Sequence, residues 1–134
     1  MKEIRTIAVV EDDEDDFFFT QRALRRRTGA AIVHLQGGWE AIEYLAGTGR
    51  FSDRAKYPLP EVMLVDLKMD AGTGHDILAA IRQSPPAEMP RIYILTGSNE
   101  PRDRDLVKQS GVAHGFIVKP LSEAHVERIL EVGS

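Results

Sequence analysis

Four stretches of the 134-residue chain run from apolar residues straight into chemically active ones. Glu11, Asp12 and Asp13 follow Ile4 to Val10, and Asp66 follows Val62-Met63-Leu64-Val65. Thr96 closes Arg91 to Leu95, and Lys119 follows Phe116-Ile117-Val118. Carboxylates packed together raise one another's pKa unless a cation neutralises them. A cluster rich in oxygen with open positions suits Mg²⁺, which keeps waters and bridges carboxylates to phosphate oxygens. A lysine beside it supplies a point charge, and the hydroxyl of Thr96 can donate a hydrogen bond to an incoming phosphoryl group. Asp66 is then placed as a carboxylate nucleophile that forms an acyl phosphate.

Whether these residues meet depends on the elements that carry them, because ligands of an open parallel sheet bind at the carboxyl ends of its strands. Ile4 to Val10 is rich in β-formers and ends abruptly in acids, which predicts a buried strand. A helix is expected from about Asp15 through Arg27, with Phe18, Ala23 and Leu24 facing inward. Ala31 to Leu35 predicts a second strand and Gly37-Gly38 a turn, after which Trp39, Ile42 and Leu45 give helical spacing up to Gly47. Thr48 to Pro60 has no sustained period and predicts a long loop, read either as a partner contact or as a tolerated insertion. Glu61 to Asp66 predicts the third strand and Thr73 to Gln83 a helix with Ile77, Leu78 and Ile81 on one face. A fourth strand over Arg91 to Thr96, a helix over Arg102 to Gln109, a strand ending Phe116 to Val118 and a helix from Ser122 to about Val132 complete the chain. Five apolar strands alternating with five helices imply an α/β fold, a doubly wound parallel sheet covered on both faces.

The size fits one domain, 1–134, with no room for an appended output domain. At 43% hydrophobic and 28% charged residues the chain has the composition of an ordinary soluble globular protein. No apolar run approaches the roughly 20 residues of a membrane span, and the N-terminus lacks signal-peptide features, so a cytoplasmic location without membrane association is expected. A net charge of -4 gives no electrostatic reason to expect nucleic-acid binding. Arg25, Arg26 and Arg27 precede Thr28-Gly29, the pattern of cations in a last helical turn before a glycine stop. The absence of cysteine removes thiolate ligands and cysteine nucleophiles. His34, His75, His114 and His125 lack metal-ligand spacing and are expected to be core or surface residues.

VVEDD after the first strand, MLVDLKM with a glycine eight residues past its aspartate, ILTGS after the fourth strand and FIVKP after the fifth resemble the receiver-domain family of response regulators. The resemblance covers essentially the whole chain and implies a flavodoxin-like three-layer sandwich. It makes Asp66 the phosphoacceptor, with Mg²⁺ or Mn²⁺ held by Glu11, Asp12, Asp66 and the main-chain carbonyl of Lys68. Thr96 becomes the switch hydroxyl, Lys119 the partner of the phosphoryl oxygens, and Asp13 a second acid nearby. A one-residue shift of the acidic pair is the alternative. Phe116 falls at the aromatic switch position or is plain core.

The implied function is a stand-alone regulator of a two-component phosphorelay. Its partners are a sensor histidine kinase or phosphotransfer protein and a downstream protein target, with the protein itself a monomer or weak homodimer. Such a receiver catalyses only its own phosphorylation and dephosphorylation and is not an enzyme acting on a separate substrate. The segment between Gly47 and Pro60 further resembles the small regulators that serve phytochrome-type kinases. Three positions depart from the commonest family pattern: Asp70 replaces a proline, Gly97 an alanine and Phe116 a tyrosine. Lys68 and Ser98, each two residues beyond an active position, are expected to tune hydrolysis of the acyl phosphate. Two other readings stay open, a receiver-fold interaction module that is never phosphorylated and a phosphohydrolase. Against the second, Lys68 stands where a haloacid-dehalogenase-type phosphatase needs an aspartate.

Overall fold

The structure, a computed structural model, describes residues 3–97 and 99–131. Ser98 and the expected helix end at Val132 lie outside the described residues. The strands are β1 (Thr6–Val10), β2 (Ala31–Leu35), β3 (Val62–Val65), β4 (Arg91–Thr96) and β5 (Gly115–Val118). They alternate with α1 (Glu14–Arg25), α2 (Gly38–Ala46), α3 (Gly74–Gln83), α4 (Pro101–Ser110) and α5 (Glu123–Leu130). All strand pairs are parallel, in the order β2-β1-β3-β4-β5.

The alternation of side chains along each strand divides the core into two layers. Ala8, Val10, Met63, Val65, Ile92 and Ile94 pack with Ala41, Tyr44 and Leu45 of α2, Ile77, Leu78 and Ile81 of α3 and Val107 of α4. Ile7, Val9, Leu64, Tyr93, Leu95 and Ile117 pack on the other face with Leu24 of α1 and Val126 and Ile129 of α5. The sheet is therefore doubly wound, and every strand delivers its carboxyl end to one common edge.

In each of two helices, one of the three residues expected to face inward turns outward, while Ala23 and Leu24 in α1 and Ile42 and Leu45 in α2 pack against the core as expected. In α1 the buried positions are Thr20 and Leu24, with Phe17 half-buried behind them, while Phe18 is 54% exposed. Seventeen, 20 and 24 follow the helical repeat, and Phe18 lies one residue, about 100°, around from it. In α2, Trp39 is 58% exposed and Ala41, Tyr44 and Leu45 are buried. The reason is that the first turn of α2 docks on the loop after β3. The backbone N–H of Gly38 donates to the carbonyl of Gly72 (2.9 Å), and that of Trp39 to Ala71 (3.1 Å).

The 48–60 segment is an ordered loop. It holds a 3-10 turn at Gly49–Phe51 and buries Phe51, which meets Tyr44 and Tyr57 edge-on with ring centroids 5.2 and 5.1 Å apart. The guanidinium of Arg54 donates to the carbonyls of Tyr44 (2.8 Å), Leu45 (2.9 Å) and Tyr57 (3.2 Å). Carbonyls at the end of α2 thus gain the partners that the helix itself cannot supply.

Candidate functional site

The common edge of the sheet is built from the ends of four strands. Asp66 follows β3 directly, its backbone N–H bonded to the carbonyl of Val10 (3.1 Å). Glu11 follows β1 and is bonded in the same way to Leu35 (2.9 Å). Thr96 is the last residue of β4, and its carbonyl accepts from the backbone N–H of Lys119 (2.7 Å), one residue past β5. Extended ladder pairing, not local sequence, sets these residues side by side.

Glu11, Asp66 and Thr96 are buried, a rare state for polar groups unless they have partners. Glu11, Asp12 and Asp66 each present a carboxylate oxygen, all within 4.8 Å of one another. The ammonium of Lys119 donates to Glu11 Oε1 (2.6 Å), Asp16 Oδ2 (2.8 Å) and Asp66 Oδ2 (3.4 Å). Burial raises the Glu11 carboxyl to about 7, the Lys119 hydrogen bond opposing this and the Asp66 charge adding to it. Burial disfavours the Lys119 cation, but its hydrogen bonds to Asp16 and Glu11 outweigh this and hold the amine above its ordinary range. One ammonium facing several carboxylates leaves negative charge uncompensated. An all-oxygen donor set with excess negative charge fits a hard divalent cation such as Mg²⁺.

The loop after Asp66 folds back over this edge. The backbone N–H of Lys68 approaches Asp66 Oδ1 (3.3 Å), and that of Asp70 donates to Asp12 Oδ2 (3.1 Å). Gly74, eight residues past Asp66, is needed for close approach, since a Cβ there would meet the Asp66 carbonyl oxygen at 2.6 Å. Gly72 has φ +88° against the backbone nitrogen of Trp39, a conformation side chains rarely adopt.

Asp13 does not join the acidic trio. Its side chain accepts from the backbone N–H of Asp16 (2.9 Å) and caps α1, a use that local helix geometry favours for an aspartate before the first turn. The residue missed in its place is Asp16, one turn into α1. Its signal was the acidic run itself, readable as helix N-terminal charge but silent on which member turns toward the fifth strand. His34 was also missed: its Nε2 donates to the Glu11 carbonyl (2.7 Å) while its ring stacks on Phe17, centroids 3.6 Å apart. The Lys68 ammonium lies outward, 3.6 Å from Glu100 Oε1. Phe116 is half-buried on β5, packed against the core layer under α2, α3 and α4, with the Arg104 guanidinium 4.9 Å from its ring centre.

Residues 7–131 match the response regulator receiver domain family. The chain belongs to that family. Among its relatives is the probable methanogenesis regulatory protein FilR2 of Methanothrix harundinacea, 30% identical over 128 residues that make up 93% of this receiver and 78% of FilR2. Rcp1, a response regulator of Synechocystis sp., is 28% identical over 100 residues, 74% of the receiver and 66% of Rcp1. Among solved structures, the bacteriophytochrome response regulator AtBRR superposes with a TM-score of 0.80 at 29% identity, covering 99% of the receiver and 96% of AtBRR. A Mn²⁺-bound form of Rcp1 gives a TM-score of 0.78 at 22% identity, over 96% and 91% of the two chains, a likeness of fold. The receiver is thus a response regulator of the two-component type, with the five-stranded parallel architecture of that family. No helix among the described residues is long and apolar enough to cross a membrane.

Proposed function

We propose that this receiver accepts a phosphoryl group on Asp66 from the phosphohistidine of a sensor kinase or phosphotransfer protein. The observation that carries the proposal is the Lys119 ammonium 3.4 Å from Asp66 Oδ2, on an edge where Glu11, Asp12 and Asp66 oxygens lie within 4.8 Å. Glu11, Asp12, Asp66 and the Lys68 carbonyl would hold the Mg²⁺ or Mn²⁺. When bound, the metal supplies charge neutralisation for phosphoryl oxygens and draws them to the carboxylates. The Mn²⁺-bound form of Rcp1 supports this for a relative of the same fold.

In the proposed step an Asp66 carboxylate oxygen attacks phosphorus, the phosphorus–nitrogen bond breaks, and imidazole leaves as the acyl phosphate forms. Lys119 leaves Asp66 for a phosphoryl oxygen, which gives the new charge a fixed cation. The hydroxyl of Thr96, buried at the end of the neighbouring strand, donates to the same group. The α4–β5–α5 surface, with Phe116 on it, carries the readout to a downstream protein by a shift of population. Hydrolysis by water returns Asp66, with Lys68 and Ser98 proposed to tune its rate. We place the receiver in the cytoplasm as a stand-alone regulator of a phytochrome-type kinase, a role supported by AtBRR, matched over 96% of its own length.

Acetyl phosphate with Mg²⁺ tests this in the absence of the kinase. One phosphoryl group per chain is expected, none after Mg²⁺ removal and none in Asp66→Asn. Modification that persists in Asp66→Asn would overturn the assignment. No modification of the wild type, together with no binding of beryllofluoride, would instead favour an interaction module that is never phosphorylated.

A further inference from the structure

We propose that Asp16 is a positioning residue that holds Lys119 at the rim of the acidic site, freeing the metal acids and competing for the ammonium with a phosphoryl group on Asp66. The inference rests on the phosphoryl-acceptor reading above and adds a residue to it.

An ammonium has three N–H donors, and the contacts of Lys119 Nζ distribute them over Glu11 (2.6 Å), Asp16 (2.8 Å) and Asp66 (3.4 Å). Two of these acceptors, Glu11 and Asp66, belong to the trio whose oxygens converge as a candidate cation site, and Asp16 does not. A divalent cation on Glu11 and Asp66 therefore competes with Lys119 for the same oxygens. Asp16 is the partner that Lys119 can keep.

The fold makes the side chain of Asp16 available for this. It stands in the first turn of α1, where its backbone N–H is already capped by Asp13, so its carboxylate is free to reach across to the residue after β5. The Asp16 side chain is 44% exposed, against 3% for Glu11 and 11% for Asp66. Solvent screening tempers this pair despite its short distance. The contact is strong enough to bias where the ammonium sits and weak enough to yield to a doubly charged phosphoryl group.

Two effects of opposite sign follow. In Asp16→Asn, Lys119 stays on Glu11 and Asp66 and the metal binds less well. At saturating Mg²⁺ a phosphoryl mimic meets no competitor for the ammonium and binds better. An exposed, half-screened ion pair sets the scale of each effect at roughly three- to five-fold.

The experiment titrates Mg²⁺ and then, at saturating Mg²⁺, beryllofluoride into the wild type, Asp16→Asn, Asp16→Glu and Asp15→Asn. Asp15 is exposed on the same turn and removes the same charge, so it measures the general field alone. Weaker Mg²⁺ binding and tighter beryllofluoride binding are expected in Asp16→Asn, with values near wild type in Asp16→Glu and only small changes in Asp15→Asn. Equal behaviour of Asp16→Asn and Asp15→Asn would overturn the proposal, as would a loss of affinity for both ligands, the mark of a damaged site. If the wild type itself binds no beryllofluoride, the phosphoryl-acceptor reading fails first, so the two failures are distinct.

Discussion

Two half-buried cations do opposite work in this receiver. Arg54 gives its guanidinium to three backbone carbonyls, those of Tyr44 and Leu45 in the last turn of α2 and that of Tyr57 in the loop beyond it. Its partners are neutral and fixed in the backbone, so the arrangement is a stitch between a helix end and the 48–60 loop. Lys119 gives its ammonium to carboxylates that are themselves crowded, one of them pushed up to about 7 by burial. Glu11 and Asp66 gain by exchanging the lysine for a stronger cation, and the lysine gains by finding a denser anion. A cation satisfied by carbonyls stabilises structure, whereas one shared among surplus carboxylates is poised for ligand exchange.

The sharpest way to break this contrast is to remove each cation in turn. Lys119→Met should slow phosphorylation by acetyl phosphate by roughly 10²-fold, the usual cost of losing one fixed donor to developing oxyanion charge. Arg54→Met should leave that rate within about two-fold while lowering unfolding free energy by about 2 kcal/mol, since it removes a donor from two helix-end carbonyls and from that of Tyr57. Stopped-flow or mass measurements of phosphorylation, paired with urea unfolding, read both. Equal slowing by the two substitutions would end the distinction between stitch and switch.

A smaller effect lies at His114, whose Nδ1 accepts the backbone N–H of Ile92 (3.0 Å) at the start of β4. Burial lowers its pKa from 6.5 and the Arg91 charge lowers it further. A histidine with a depressed folded pKa adds stability above its unfolded value and loses it as pH falls through the folded one. The difference in unfolding free energy between wild type and His114→Asn should therefore shrink as pH drops below about 6.5. Glu11, raised by burial, titrates in the opposite sense but is common to both proteins, so it drops out of the difference. A difference that stays constant with pH would show that the imidazole bond contributes no linkage.

Much of this was legible in the sequence because it depends on order alone. Apolar runs alternating with helical periods fix a parallel sheet, and a parallel sheet gathers Glu11, Asp66, Thr96 and Lys119 at one edge wherever the loops run. What was not legible depends on rotation and on distant partners. Phe18 and Trp39 have the spacing of buried residues, yet α1 and α2 are turned by how they dock, α2 by the carbonyls of Ala71 and Gly72. Asp13 and Asp16 are chemically identical, and only the cap of α1 assigns one to the helix and the other to Lys119. The 48–60 segment has no period because its order comes from Arg54 reaching nine and ten residues back to Leu45 and Tyr44.

The most direct measurement is the position of the phosphoryl group itself. Reduction of the acyl phosphate with borohydride, after reaction with acetyl phosphate and Mg²⁺, converts the modified aspartate to a homoserine that peptide mapping can locate. The mark is expected at residue 66 alone, and its appearance at Asp12 or Asp16 instead, or the one-carbon-longer alcohol of a reduced glutamyl phosphate at Glu11, would contradict the account.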